Sequence, residues 1–216
     1  IHRIVLQQFP ARFEPATGKI TSYRHDPSNS ESLSHDWITS LAWDGADIWV
    51  GTAGGGVNHF DPASERFNHY RHDPDDATSL GDDHVTSLLA DPAGEPVGSH
   101  TGEIVGSSTG LLWVGTHDRG LDAFDPQEGT FRHVRYDRTD LGSLSSDRVR
   151  ALYRSRAGLL WIGTQGGGVS CSDPAAGRFI HYRGDVDAAS TPGDYRVLTL
   201  HESADGVLWI GTAGGG

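Results

Sequence analysis

A four-residue motif, Trp-aliphatic-Gly-Thr, recurs along this chain and constrains its fold more than any other feature. It stands at Trp49-Val50-Gly51-Thr52, Trp113-Val114-Gly115-Thr116, Trp161-Ile162-Gly163-Thr164 and Trp209-Ile210-Gly211-Thr212. The Trp spacings are 64, 48 and 48 residues (113−49, 161−113 and 209−161). Removing Glu95 to Gly110, 16 residues, shortens the long interval to 48. It also aligns Ala93-Gly94-Leu111-Leu112-Trp113 with Ala157-Gly158-Leu159-Leu160-Trp161. A period in this range marks an architecture in which each unit buries its apolar surface on its neighbours.

Each unit reads as four short strands. The first covers Val85 to Leu89, Val149 to Tyr153 or Val197 to His201, and the second is the Leu-Trp-aliphatic-Gly-Thr segment. The third follows a glycine-rich loop, as in Val57 to Phe60 and Leu121 to Phe124. The fourth carries an aromatic pair, Phe67 and Tyr70 or Phe179 and Tyr182. β-Branched and aromatic residues bounded by turn residues predict strands, and nothing has the 3.6-residue period of a helix. Asp61-Pro62, Asp125-Pro126 and Asp173-Pro174 supply the Asp and Pro that open a tight turn. Gly129 and Gly177 then suit a left-handed position that closes the hairpin. Glu65 replaces that Gly in one unit, which predicts a less regular turn there.

A four-stranded sheet with two apolar faces must stack radially on others, which predicts an all-β fold, a β-propeller of four-stranded antiparallel blades. The repeated Trp would fill the gap between blades, and the Gly beside it would let backbones approach closely. A solenoid is the rival architecture, disfavoured by hairpin-linked antiparallel strands. The Trp-Asp of a WD repeat is absent, and the glycines follow the Trp rather than precede it as in kelch repeats. The divisions are a half-blade over 1–33, blades over 34–80, 81–144 and 145–192, and a half-blade over 193–216, with the insertion at 95–110. Complementary half-blades would allow a four-bladed ring. A chain without Met that starts at Ile1 and stops inside a motif at Gly216 instead predicts an arc cut from a larger ring.

Composition limits function. The net charge of −12, with no clustered Lys or Arg, disfavours nucleic acid as a partner. No apolar run is long enough to span a membrane. Cys171 is the single cysteine, so no disulfide forms within the chain and a Cys-based metal site is not expected.

In a propeller the loop entering the first strand and the loop between strands two and three open on one face. That places Asp36-Trp37, Asp83-His84, Asp147-Arg148 and Tyr195-Arg196 around one mouth. The second residue of each pair is Trp, His, Arg and Arg in turn, and such variation at one repeated position is expected of a binding face. The ligand-binding candidates are Trp37, His84, Asp118, Arg119, Arg148 and Arg196. Trp37 would stack on a ring, and the arginines would take hydroxyls or a carboxylate. No catalytic residue, metal ligand or cofactor is assigned. His69, His133 and His181 share one slot on the outermost strand, one per blade, and so do not converge on an ion. The glycine loops lack the Lys and following helix of a phosphate loop, and no nucleophile elbow occurs.

The composite Leu-Trp-Ile-Gly-Thr, Gly-Gly-Gly, Phe-Asp-Pro, Tyr-Arg-His-Asp-Pro and Ser-Leu resembles the two-component regulator propeller repeat. Ile48 to Leu80 carries the resemblance best, and it extends over residues 11 to 216. It implies a seven-bladed sensor propeller in the extracytoplasmic, periplasmic half of an inner-membrane protein. The remaining blades and an output domain, a histidine kinase or diguanylate cyclase, would be its intramolecular partners. An oligosaccharide or other small-molecule ligand and a homodimer are also implied. Three departures stand out: His117-Asp118-Arg119-Gly120 in place of three glycines, Cys171-Ser172 in place of an aromatic, and Thr191-Pro192 in place of Ser-Leu. Cys171 is accordingly predicted to be a core thiol. The competing functions are a lyase or glycan-cleaving enzyme using Asp118 or His84, and a protein scaffold contacting partners through insertion 95–110.

Overall fold

The computed structural model describes residues 11–91, 97–98, 104–105, 110–173, 176–183 and 196–214. Ile1 to Pro10, Pro174, Thr191-Pro192, Tyr195 and most of Glu95 to Gly110 lie outside the described residues. Strands β1 (Ala11–Glu14) and β2 (Lys19–Ser22) form a two-stranded antiparallel unit. A four-stranded sheet follows from β3 (Ile38–Trp43), β4 (Ile48–Thr52), β5 (Val57–Asp61) and β6 (Arg66–Tyr70), in that order. The next sheet begins with β7 (Val85–Asp91). Its chain then passes through a short pair, β8 (Val97–Gly98) and β9 (Ile104–Val105), inside the insertion. It resumes with β10 (Leu111–Thr116), β11 (Leu121–Asp125) and β12 (Thr130–Val134). The third sheet holds β13 (Val149–Arg154), β14 (Leu160–Thr164), β15 (Val169–Asp173) and β16 (Arg178–Tyr182). A last pair, β17 (Val197–Glu202) and β18 (Leu208–Thr212), completes the set. No helix occurs among the described residues.

The first strands β3, β7, β13 and β17 lie side by side in succession, so they are the inner strands of a propeller arc. What lets them come so near is the Gly of each repeated motif. A Cβ on Gly51 would sit 2.7 Å from Val85 Cγ1, one on Gly115 2.6 Å from Val149 Cγ1, and one on Gly163 2.5 Å from Val197 Cγ1. In each case the intruding valine opens the next blade. The preceding Trp does the complementary work. Trp49 packs with Leu88, Phe124 and Phe131 of the following sheet, and Trp113 packs with Val149, Ile162 and Phe179. Trp161 packs against Val197 and Leu200 in the same way, while Trp209, with no following unit among the described residues, is 64% exposed. Truncating an aromatic in such a core costs about 3–5 kcal/mol. The indole N–H groups are satisfied by Asp44 (2.9 Å) and Asp91 (3.2 Å), and Asp91 also pairs with Arg154 of the third blade.

Linkers tie each blade to the next. Ser32, Ser79 and Ser143 accept the N–H of Asp26, Asp73 and Asp137, each at 2.9 Å, and the leucine after each serine is buried. His69, His133 and His181 meet the linker carbonyls of Ser32, Ala77 and Leu141. Their repetition therefore serves the scaffold. Cys171 is buried, and burial pushes its thiol up to about 11.

Glu65 adopts the same left-handed conformation (φ 56°) as Gly129 (70°) and Gly177 (62°). An L-residue there carries a strain of about 1–2 kcal/mol, which the surrounding hairpin of β5 and β6 overrides.

The inner-strand contact makes a stability prediction. Gly115→Ala should cost about 1–3 kcal/mol by overpacking, and adding Val149→Ala should cost less than the two single changes summed. Urea unfolding of the four proteins measures this. Simple additivity would show that the valine does not sit on the glycine.

Candidate functional site

Each inner strand starts with a bulge. The pairing register of β3 with β4 shifts between Ile38 and Ser40, that of β13 with β14 between Val149 and Ala151, and that of β17 with β18 between Val197 and Thr199. The corresponding shift in the second blade leaves Thr86 unpaired, between Val85 and Ser87. Such a bulge bends a strand end and redirects its side chains. Just ahead of the bulge, the carbonyls of Trp37, His84, Arg148 and Arg196 accept N–H groups from Ala53, His117, Gln165 and Ala213 at 3.0, 3.0, 2.8 and 2.9 Å. The four residues thus occupy one equivalent position, on identical backbone.

The same face is stitched across blades. Asp83 carbonyl accepts from Gly54 (3.0 Å) and Gly56 (2.9 Å), and Asp147 carbonyl from Gly120 (2.7 Å). Ala53 pairs with His84 and Gln165 with Arg196 as isolated bridges. The carboxylates of Asp36, Asp83 and Asp147 turn back to the N–H groups of His25, His72 and Tyr136 (2.8, 2.8 and 2.7 Å). Those aspartates brace the rim, and the residue after each is left to vary.

Glycine loops flank this rim in the first and third blades. Thr52 and Thr164 hydroxyls donate to Gly56 and Gly168 carbonyls at 2.9 and 3.0 Å. The second blade keeps the Thr116–Gly120 bond (2.9 Å) but fills the loop with His117, Asp118 and Arg119. Arg119 takes the slot of Gly55 and Gly167, where a Cβ would meet Ser34 Oγ at 2.5 Å or Ser145 Oγ at 2.6 Å. Gly81 stands where those serines do, so the side chain gained in the loop is matched by one lost opposite it.

At this junction the candidates converge. The His84 and His117 rings stack with centroids 4.7 Å apart and planes at 22°. His117 Nδ1 lies 2.7 Å from Asp118 Oδ2, and Arg148 Nε donates to Asp118 Oδ1 at 2.9 Å, joining the second blade to the third. Arg150, at the bulge, donates from Nε and Nη2 to Gln165 Oε1 at 3.0 and 2.6 Å. The His117 contact, with Arg148 second, holds the Asp118 carboxyl below its usual range. Burial pushes His84 below its ordinary 6.5, the His117 and Arg150 charges push the same way, and Asp82 and Asp118 oppose them.

The structure therefore brings His84, Asp118 and Arg148 together. Arg119 follows Asp118 in the loop and is exposed, its guanidinium without a hydrogen bond or ion pair among the described residues. Trp37, 69% exposed, stands one blade away, and Arg196 stands one blade away on the other side with Nη2 donating to Ala213 carbonyl at 2.6 Å. His117, Arg150 and Gln165 belong to the site and are not among the ligand-binding candidates read from the sequence, where His117 stands only as part of a departure from the repeat. The available signal was slot comparison: Gln165 replaces the Ala53 and Ala213 of other units, and Arg150 replaces Thr39, Thr86 and Leu198. Among the described residues, no group of three or more His, Cys, Asp or Glu side chains is placed to hold a metal ion.

Comparison with known proteins agrees with this architecture. The family model described as two component regulator propeller matches residues 143–166 and 191–214. The extracellular domain of a hybrid two-component system from B. thetaiotaomicron superposes with a TM-score of 0.67 at 24% identity. That match covers 90% of this chain and 24% of the other, so this chain spans about a quarter of that domain. A structural-genomics protein of unknown function from Bacteroides thetaiotaomicron matches with a TM-score of 0.57 at 14% identity, over 92% of this chain and 49% of that one. No curated protein matches the chain in sequence.

The depressed histidines predict how stability depends on pH. His84 and His181 both sit below 6.5 when folded, chiefly through burial. The unfolded chain then binds more protons as pH falls below 6.5, so stability is full above that value and is lost toward the folded pKa values. Melting temperature should drop between pH 7.5 and 5, and less so in a His84→Asn variant. An identical drop in wild type and variant would remove His84 from the account.

Proposed function

We propose that this chain is the ligand-sensing portion of an extracytoplasmic sensor propeller in a bacterial two-component signalling protein, responsive to carbohydrate and not itself catalytic. One observation carries this reading: an invariant backbone track at the rim presents Trp37, His84, Arg148 and Arg196 from four successive units. A scaffold that repeats its backbone and varies one outward side chain is suited to recognising an asymmetric ligand. Trp37 supplies an aromatic face for a sugar ring, and the arginines supply donors for hydroxyl and carboxylate groups.

Signalling follows from where the rim lies. Its hydrogen bonds cross the blade junctions, so a ligand that prefers one junction geometry shifts the population toward it. In the parent protein this shift would pass through further blades and a membrane segment to a kinase or cyclase output, within a homodimer in the periplasm, and on into a phosphorelay. The two-component family of the repeats supports this context. Catalysis fits the rim less well, because both oxygens of Asp118 are engaged, one by His117 and one by Arg148.

A thermal-shift and fluorescence titration against a panel of oligosaccharides tests the proposal. At least one glycan should raise the melting temperature saturably, and Trp37→Ala should weaken its binding about tenfold without changing the melting temperature of the free protein. Absence of any shift across the panel would refute the carbohydrate reading.

A further inference from the structure

We infer that the junction between the second and third blades is an anion subsite, built to hold a carboxylate or sulfate group of the rim ligand, with Asp118 as its internal occupant. The inference rests on the rim being a binding face and adds the ligand's charge. The chain carries a net charge of −12, so its surface as a whole repels anions. At this one place Arg148 and Arg150 gather with the stacked His84 and His117, Arg119 follows Asp118 in the same loop, and Asp82 and Asp118 act against them at His84. The corresponding loops of the neighbouring blades, Gly54-Gly55-Gly56 and Gly166-Gly167-Gly168, place no charge at all.

Asp118 shows what the site binds. Its two oxygens take one donor from Arg148 Nε (2.9 Å) and a contact with His117 Nδ1 (2.7 Å), the contacts an external carboxylate would make. Arg148 Nη1 and Nη2 and the whole Arg119 guanidinium have no partner among the described residues. They remain available to a planar anion that can accept two parallel bonds. The Asp118 and Arg148 side chains are each about half exposed (53% and 54%), and an ion pair in that setting contributes little, so a ligand anion can displace the carboxylate. Displacement would break the side-chain tie between blades and place the ligand's anion across the junction instead. Occupancy of the subsite is thereby coupled to the inter-blade contact that the signalling reading requires.

Calorimetric titration of the chain tests this with three probes: a galacturonate tetrasaccharide, a sulfated galactan tetrasaccharide and neutral cellotetraose. One of the two acidic probes should bind at least about tenfold more tightly than the neutral one, and which of them does so separates carboxylate from sulfate. Arg119→Gln and Arg148→Gln should each weaken that binding about tenfold, while Asp118→Asn should strengthen it several-fold. Melting temperatures of the three variants, read in parallel, confirm that they are folded. Neutral and acidic probes binding alike, or acidic binding indifferent to all three variants, would overturn the anion subsite and leave rim sensing intact. No binding by any probe, with the wider glycan panel also silent, would overturn both.

Discussion

Everything in this arc depends on how closely one blade's inner strand can approach the next. The Gly of each Trp-aliphatic-Gly-Thr motif removes the Cβ that would otherwise strike the first valine of the following blade, at 2.5–2.7 Å in three successive junctions. Close approach seals the apolar gap, and the Trp two residues earlier fills the space outside it. The motif is therefore one device in three parts, with Thr at its end donating into the next loop and fixing where that loop turns. Because every junction is built this way, the face at the strand ends is held in register from blade to blade.

The rim inherits its geometry from that register. A bulge at the start of each inner strand and a carbonyl accepting from the residue after Gly-Thr place one side chain per unit on a common track. The scaffold needs nothing specific from those side chains, so they are free to differ. The second blade departs furthest: it gives up a serine for Gly81 opposite the loop and gains His117, Asp118 and Arg119 within it. The charged cluster that results lies on a junction rather than within a blade, where a bound group can act on the packing of two sheets together.

Much of the fold was legible in the sequence because the repeat is written in residues with stereochemical jobs. The 48-residue period, the four strands per unit, the close approach at Gly and the inter-blade Trp all follow from residue types in fixed slots. Residue type alone does not reveal the left-handed φ of Glu65, which the β5–β6 hairpin imposes. The site was legible only in outline. Comparing slots pointed to Trp37, His84, Arg148 and Arg196, yet the pairing of Asp118 with Arg148 depends on side chains of different blades. Arg150 and Gln165 were hidden because each looks ordinary within its own strand, and only the bulge aims one at the other.

The most direct test of the central claim, that ligand binding at the rim is felt at the blade junctions, is amide hydrogen exchange with and without a bound acidic tetrasaccharide. The amides of Gly54, Gly56 and Gly120, which donate across the blade junctions, and those of His117 and Gln165, which close the rim within their blades, should change protection on binding, while the outer strands β6, β12 and β16 should not. Protection unchanged at those amides under saturating ligand, or altered only on the outer strands, would contradict the account.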